Sequence, residues 1–117
     1  MHRFRQMKIW QRSISLAEEI YKITNSFPDN EKFGLVSQLR RCAISIASNI
    51  AEGAGRESDK QFRYFLQVSM GSCNELQTQL ELSRRFNFIE SELADRVQEE
   101  TLSIYRMMLS FYRTLKE

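Results

Sequence analysis

Polar side chains that could pair charges or bind a ligand recur between positions 38 and 56 at the spacing of one helix face. Most follow one another at steps of three or four positions, which places them side by side along a helix. Glu75, in the next segment, adds a carboxylate that could face them. The simplest interpretation is a polar layer beside the core, in which arginines pair with glutamates and fix the helix register. A ligand or nucleic-acid site is the functional alternative for this set: Gln38, Arg41, Ser45, Asn49, Glu52 and Arg56.

The N-terminal segment carries four cations and no acidic residue over its first twelve positions, a pattern suited to contacting phosphates. The whole chain has a formal net charge of +2 and a pI of about 8.7, which permits nucleic-acid binding without requiring it. A solvated, frayed terminus is the structural alternative. The candidate nucleic-acid contacts are Arg3, Arg5, Lys8 and Arg12.

The residue types that catalysis needs are scarce in this sequence. His2 is the only histidine, and one histidine cannot build a His-rich metal site or a Ser-His-Asp triad inside the fold. The Gly-Ala-Gly-Arg turn at positions 53–56 lacks the preceding strand and the following lysine of a phosphate loop. Glu52 and Glu75 could face each other like the paired acids of a glycosidase, but a helix bundle rarely offers a sugar cleft. We therefore expect no enzymatic activity, no metal and no cofactor.

The two cysteines, Cys42 and Cys73, fall on apolar stripes and lack the Cys-x-x-Cys spacing of redox and zinc motifs. Buried free thiols are typical of a reducing compartment. No apolar run approaches the roughly 20 residues of a membrane span, and no signal peptide is visible. We expect a cytoplasmic protein that does not enter a membrane.

The segments that must position these residues read as four helices. One proline and four glycines in 117 residues leave long uninterrupted stretches, in which apolar residues recur at steps of three and four. Short connections force neighbouring helices to be antiparallel. We therefore predict one all-α domain over residues 1–117, an antiparallel up-down-up-down four-helix bundle. Its helices are predicted at about residues 6–26, 31–52, 58–86 and 91–115.

Three local signals lie in or beside the third predicted helix. Ser58, with Gln61 three positions later, resembles a capping box at its start. Asn87 can adopt the left-handed conformation that ends a helix. Gly71 lies in the middle, where glycine costs about 1 kcal/mol relative to alanine. We expect glycine there because a neighbouring group approaches the backbone closely.

The fourth predicted helix carries a second apolar stripe, offset by about one residue from the stripe that faces the core. One helix of a four-helix bundle needs a single inward face, so the surplus indicates a second buried contact. A wide core face that covers both stripes is the alternative. The candidate subunit interface consists of Leu102, Tyr105, Leu109 and Tyr112.

Residues 35–41 read Leu-Val-Ser-Gln-Leu-Arg-Arg, and residues 45–53 read Ser-Ile-Ala-Ser-Asn-Ile-Ala-Glu-Gly. With Arg56, Phe62, and the Gly-Ser and Glu-Leu pairs at positions 71 and 75, this pattern resembles the four helix bundle family. That family is also called the 23S rRNA intervening sequence protein family, and the resemblance covers nearly the whole chain. The departures from the usual pattern are packing and turn changes at Cys42, Ala47, Cys73, Gln77 and residues 86–88.

The resemblance implies a bacterial four-helix bundle that assembles as a ring-like homopentamer and has no established activity. The family is similar in fold to the accessory protein of diversity-generating retroelements, a basic pentamer that partners a reverse transcriptase and nucleic acid. A nucleic-acid-binding accessory factor for RNA or DNA is therefore the first hypothesis. A structural or interaction module that binds a protein partner without nucleic acid is the alternative, because 17 basic residues nearly balance 15 acidic ones. Small-molecule binding in the core is a third interpretation.

Overall fold

Four α-helices form a bundle in the computed structural model, which describes residues 2–117. No strand occurs within that range, and the bundle measures 44 × 23 × 21 Å. The prediction of an all-α, four-helix fold is therefore confirmed. None of the helices in the described residues has both the length and the apolar character needed to cross a membrane. Helix α1 spans Lys8–Thr24, α2 Leu35–Ala54, α3 Asp59–Arg85 and α4 Ser91–Tyr112.

The second helix begins at Leu35, four residues later than predicted. Residues Asp29–Glu31 form a separate 3-10 turn instead of a first helical turn. The carboxylate of Glu31 accepts a hydrogen bond from the backbone N–H of Leu35 at 3.2 Å. This side chain satisfies one of the unpaired N–H groups at the start of α2, so the helix begins after Gly34.

Both predicted ends of the third helix are confirmed. The hydroxyl of Ser58 accepts a hydrogen bond from the backbone N–H of Gln61 at 3.2 Å and caps the start. At the other end, Asn87 has a φ of 61°, the left-handed conformation. The N–H of Phe88 then reaches back to the carbonyl of Ser83 at 2.9 Å, which closes the last turn.

The core receives apolar side chains from all four helices. Helix α1 lies against α2 and α4, and α3 lies against the same two helices. Each fully buried large side chain contributes about 1.5–3 kcal/mol relative to an exposed one. The largest fully buried residues are Leu16, Ile20, Leu39, Ile46, Ile50, Phe62, Leu66, Leu76, Leu80, Val97, Ile104 and Met108.

Small residues let α2 and α3 lie very close together. The hydroxyl of Ser69, fully buried on α3, donates to the backbone carbonyl of Ile46 on α2 at 2.8 Å. At Gly53 a Cβ atom would lie 2.7 Å from Cδ1 of Phe62 and 2.9 Å from Cβ of Phe65. Any side chain at Gly53 would therefore force the two helices apart.

The expectation of a close approach at Gly71 is wrong. Within residues 2–117, nothing lies within 4 Å of a Cβ built there, because Gly71 is on the outer face of α3. The close approach that the sequence signal suggested occurs at Gly53 instead.

These two glycines give a matched pair of stability tests. We expect Gly53→Ala to lower the free energy of unfolding by about 1–3 kcal/mol, because overpacking strains the α2–α3 contact. We expect Gly71→Ala to raise it by up to about 1 kcal/mol, because alanine favours helix and meets no neighbour. Urea unfolding followed by circular dichroism measures both. Equal effects of the two substitutions would contradict the steric explanation.

Candidate nucleic-acid interface

The centre of the predicted polar layer joins α2 to α3. The hydroxyls of Ser45 and Ser72 lie 2.9 Å apart across the two helices. The side-chain amide of Asn49 donates to the Ser45 hydroxyl at 3.0 Å and to the Ser45 carbonyl at 2.9 Å. Ser72 is buried, so these bonds fix the register of α2 and α3.

The outer members of the predicted layer do not join this network. Arg56, in the turn after α2, pairs with Glu52 at 3.2 Å, and both side chains are exposed. Gln38 and Arg41 are exposed and make no side-chain hydrogen bond or ion pair within residues 2–117. The structure therefore separates a central structural layer from exposed polar residues at its ends.

Glu75 and Gln79 of α3 contact the thiol of Cys42. The Cys42 sulfur lies 3.5 Å from the carboxylate of Glu75 and accepts a hydrogen bond from the amide of Gln79 at 3.4 Å. Burial raises the pKa of Cys42 to about 11 and that of Cys73 to about 12. Both cysteines are free and buried. At neutral pH they are therefore protonated thiols and weak nucleophiles.

The predicted N-terminal contacts lie across one end of the bundle. The backbone N–H of His2 donates to the carbonyl of Ala54 at 3.0 Å, and its ring lies 5.0 Å from that of Phe62. This contact brings the N-terminal segment onto the end of α2. The charged groups that follow remain exposed: Arg3, Arg5 and Lys8.

Arg12 differs from the other three predicted contacts. Its guanidinium donates to both oxygens of Glu100, at 2.7 and 3.1 Å, and to the hydroxyl of Ser103 at 2.9 Å. The charge of Arg12 is thus already paired with a carboxylate on α4. Arg12 therefore links α1 to α4, and its guanidinium is less available to a phosphate than those of Arg3 and Arg5.

The second apolar stripe of α4 packs partly against the chain's own core. Tyr105, Leu109 and Tyr112 are half-buried there, and Leu102 is half-buried as well. The hydroxyl of Tyr112 accepts hydrogen bonds from Arg63 and from a second α3 side chain, each at 2.9 Å. Each of these residues keeps part of its surface exposed, so the subunit interface predicted there stays a prediction.

Contacts between helix ends show which charged residues share an end of the bundle. At the end where His2 meets α2, the N–H of Lys116 donates to the carboxylate of Asp59 at 3.0 Å. These contacts bring the N-terminal segment to the end of α2, and the residues after α4 to the start of α3. At the opposite end, Arg84 pairs with Asp95 at 3.2 Å, which joins the end of α3 to the start of α4.

The charges divide between these two ends. When each helix is split at its midpoint, residues 2–15, 46–71 and 102–117 form a basic end with ten lysines and arginines and four aspartates and glutamates. Residues 16–45 and 72–101 form an acidic end with seven lysines and arginines and eleven aspartates and glutamates. Their formal charges are therefore +6 and −4. The sequence interpretation missed this separation, although summing charges by bundle end along the predicted antiparallel path could have found it.

Most cations of the basic end are free to meet a ligand. Arg12, Arg56 and Arg63 pair with glutamates. Lys8 and Arg106 line an open, largely apolar groove between α1 and α4. Seven cations make no ion pair within the described part of the chain: Arg3, Arg5, Lys8, Lys60, Arg106, Arg113 and Lys116.

The buried thiols make a direct prediction. At pH 8 we expect Cys42 and Cys73 to react with iodoacetamide about a hundredfold more slowly in the folded protein than in urea, because thiolate formation is suppressed and access is blocked. Intact-mass spectrometry over time measures the labelling. Equal rates in the folded and unfolded protein would contradict the burial of both thiols.

The fold and sequence have counterparts among known proteins. One similar solved structure is a protein of unknown function from the S23 ribosomal protein family of Bacteroides thetaiotaomicron VPI-5482. It has 24% sequence identity and a TM-score of 0.80, with coverage of 89% of this chain and 97% of that chain. No curated protein gives a significant match. The family model described as 23S rRNA-intervening sequence protein matches residues 5–110. The chain therefore belongs to the 23S rRNA-intervening sequence protein family.

Proposed function

We propose that this protein is a non-enzymatic, homo-oligomeric accessory factor that binds RNA or DNA through its basic end. The observation that carries this proposal is the separation of formal charge, +6 at the basic end against −4 at the acidic end. The proposal places the protein in the cytoplasm, where its two free cysteines stay reduced.

The basic end offers phosphates several exposed cations at once. The net charge of +2 understates the positive charge of the basic end, because most acidic residues are at the far end of a bundle 44 Å long. That length exceeds the Debye length of about 8 Å at physiological salt, so the acidic end barely weakens the local field. Each phosphate neutralised by a lysine or arginine releases counterions, which drives binding and makes it salt-dependent.

The antiparallel up-down-up-down path is part of the proposal. Cross-helix pairs support it: Cys42 meets Glu75, and Ser45 meets Ser72, so residue numbers rise on α2 as they fall on α3. This path gathers basic segments that are distant in the sequence at one end. A path with parallel neighbours would mix the two charge signs at both ends.

Self-association is supported by exposed apolar side chains on α3 and directly after it. Val68 and Leu82 on α3 and Phe86, the residue that follows the helix, are 37%, 39% and 55% exposed. Exposed large apolar side chains, such as the neighbouring Leu82 and Phe86, are typical of an interface. The proposed assembly is the homopentamer that the family resemblance implies.

The same exposed side chains favour the alternative function, a module that binds a protein partner without nucleic acid. In that case Leu82 and Phe86 contact a different protein instead of a second copy of this chain. Nucleic-acid binding and self-association are therefore tested separately.

Two charge-matched triple variants test nucleic-acid binding. The basic-end triple replaces three cations of the basic end by glutamine: Lys8, Arg106 and Arg113. The acidic-end triple replaces three cations of the acidic end by glutamine: Lys22, Lys32 and Arg41. Each variant changes the formal net charge from +2 to −1. Fluorescence anisotropy of nuclease-treated protein with a structured RNA and a DNA duplex, across a salt series, measures affinity.

We expect the basic-end triple to lower affinity and to flatten the plot of log K against log salt by about 0.9 for each duplex phosphate that the variant no longer neutralises. The acidic-end triple should change the affinity and the salt dependence far less. Equal reductions in affinity would show that only net charge matters. Absence of binding by the unaltered protein at low salt would remove the proposal and leave the protein-partner alternative.

Substitutions at Leu82 and Phe86 test self-association. We expect Leu82→Glu with Phe86→Glu to convert the oligomer to a monomer, because four-helix units held by apolar contact cannot bury these carboxylates. Ile14→Glu with Ile44→Glu is the control, since these residues are 36% and 45% exposed on α1 and α2. Size-exclusion chromatography with light scattering gives the mass. An unaltered protein that is monomeric at micromolar concentration would overturn the assembly.

A further inference from the structure

A shallow groove at the start of α3 combines cations with an exposed aromatic ring. It is lined by Arg56, Ser58, Lys60, Gln61, Tyr64 and Phe65. All six residues belong to the basic end. The groove lies where the α2–α3 turn meets the first two turns of α3.

Tyr64 is unusual among the aromatic residues of the basic end because its side chain is 60% exposed. Its ring lies 5.1 Å from that of Phe65 at an interplanar angle of 81°, a T-shaped contact that orients it. A rigid, exposed aromatic ring loses little conformational entropy when a flat ligand stacks on it. Tyr64 therefore offers a stacking surface.

Two cations, Arg56 and Lys60, line the same groove as this ring. Lys60 is one helical turn before Tyr64, on the same face of α3, and makes no ion pair in the described chain. The guanidinium of Arg56 lies 4.8 Å from the centre of the Phe65 ring, which holds it beside the groove. Arg56 pairs with Glu52 in a solvent-exposed contact that a phosphate can compete with.

We propose that this groove binds an unpaired nucleotide of single-stranded RNA or DNA. The base stacks on Tyr64, and the flanking phosphates pair with Lys60 and Arg56. Aromatic stacking beside backbone cations is the general means by which proteins hold single strands with little sequence preference. This inference rests on the proposed nucleic-acid function and specifies the form of nucleic acid that the basic end prefers.

Single strands and duplexes should differ at this groove. The bases of a duplex are stacked on one another inside the helix, so they cannot reach Tyr64, whereas its phosphates still attract the cations. The basic end therefore binds both forms, and Tyr64 adds affinity only for unpaired bases.

The test compares Tyr64→Ala with Tyr64→Phe, which keeps the ring, and with Lys60→Gln. The probes are a short unstructured RNA that contains 2-aminopurine and the same strand in a duplex. We expect Tyr64→Ala to weaken single-strand binding about ten- to hundredfold and duplex binding little. Tyr64→Phe should retain affinity, and the 2-aminopurine quenching caused by stacking should disappear only in the alanine variant.

The salt dependence of binding separates the phosphate contact of Lys60 from the base stacking of Tyr64. Lys60→Gln should flatten the salt dependence of single-strand binding by about 0.7 in the log–log slope, whereas Tyr64→Ala should lower affinity without changing the slope. Circular dichroism and light scattering confirm that each variant keeps its fold and mass.

If Tyr64→Ala binds the single strand as tightly as the unaltered protein does while the basic-end triple is still weakened, the stacking site is overturned and the proposed function stands. Equal reductions in affinity for the single strand and the duplex, or for Tyr64→Ala and Tyr64→Phe, would also overturn it. If the unaltered protein binds neither probe, both proposals fail.

Discussion

The close approach of α2 and α3 is the constraint on which the rest of the bundle depends. Gly53 has no side chain because Phe62 and Phe65 occupy the space that a Cβ would need. Further along the pair, the buried hydroxyl of Ser69 donates to a backbone carbonyl of α2 at 2.8 Å. With α2 and α3 held this close, α1 and α4 pack on the pair, and their apolar faces meet a surface whose shape is already set.

Local chemistry made part of this architecture predictable. The cap at Ser58 and the left-handed Asn87 depend on neighbours a few positions away, so the sequence shows them directly. The start of α2 was misplaced because Glu31 uses its side chain to cap the helix instead of joining it. The pairing of Arg12 with Glu100 joins residues 88 positions apart, and no local pattern shows such a contact.

The candidate site was less predictable than the fold because it is a property of the folded chain. Basic residues of the basic end come from separate segments, and all but the first also contain acidic residues. The sequence interpretation placed candidate contacts only in the first segment, in which no acidic residue intervenes. The role of Tyr64 could not be predicted from the sequence, because an aromatic residue on an amphipathic helix is normally part of the core. Only its 60% exposure in the structure distinguishes it.

The opposed charges of the two ends make each chain a large electric dipole, and this affects how copies can stand beside one another. In a ring of parallel copies, like charges repel at both rims and oppose closure. A polyanion on the basic rim would relieve the repulsion at that rim. By thermodynamic linkage, ring closure and polyanion binding would then strengthen each other. Added salt would have opposite effects on polyanion binding and on ring closure. It would weaken the binding of the polyanion and would reduce the repulsion between subunits.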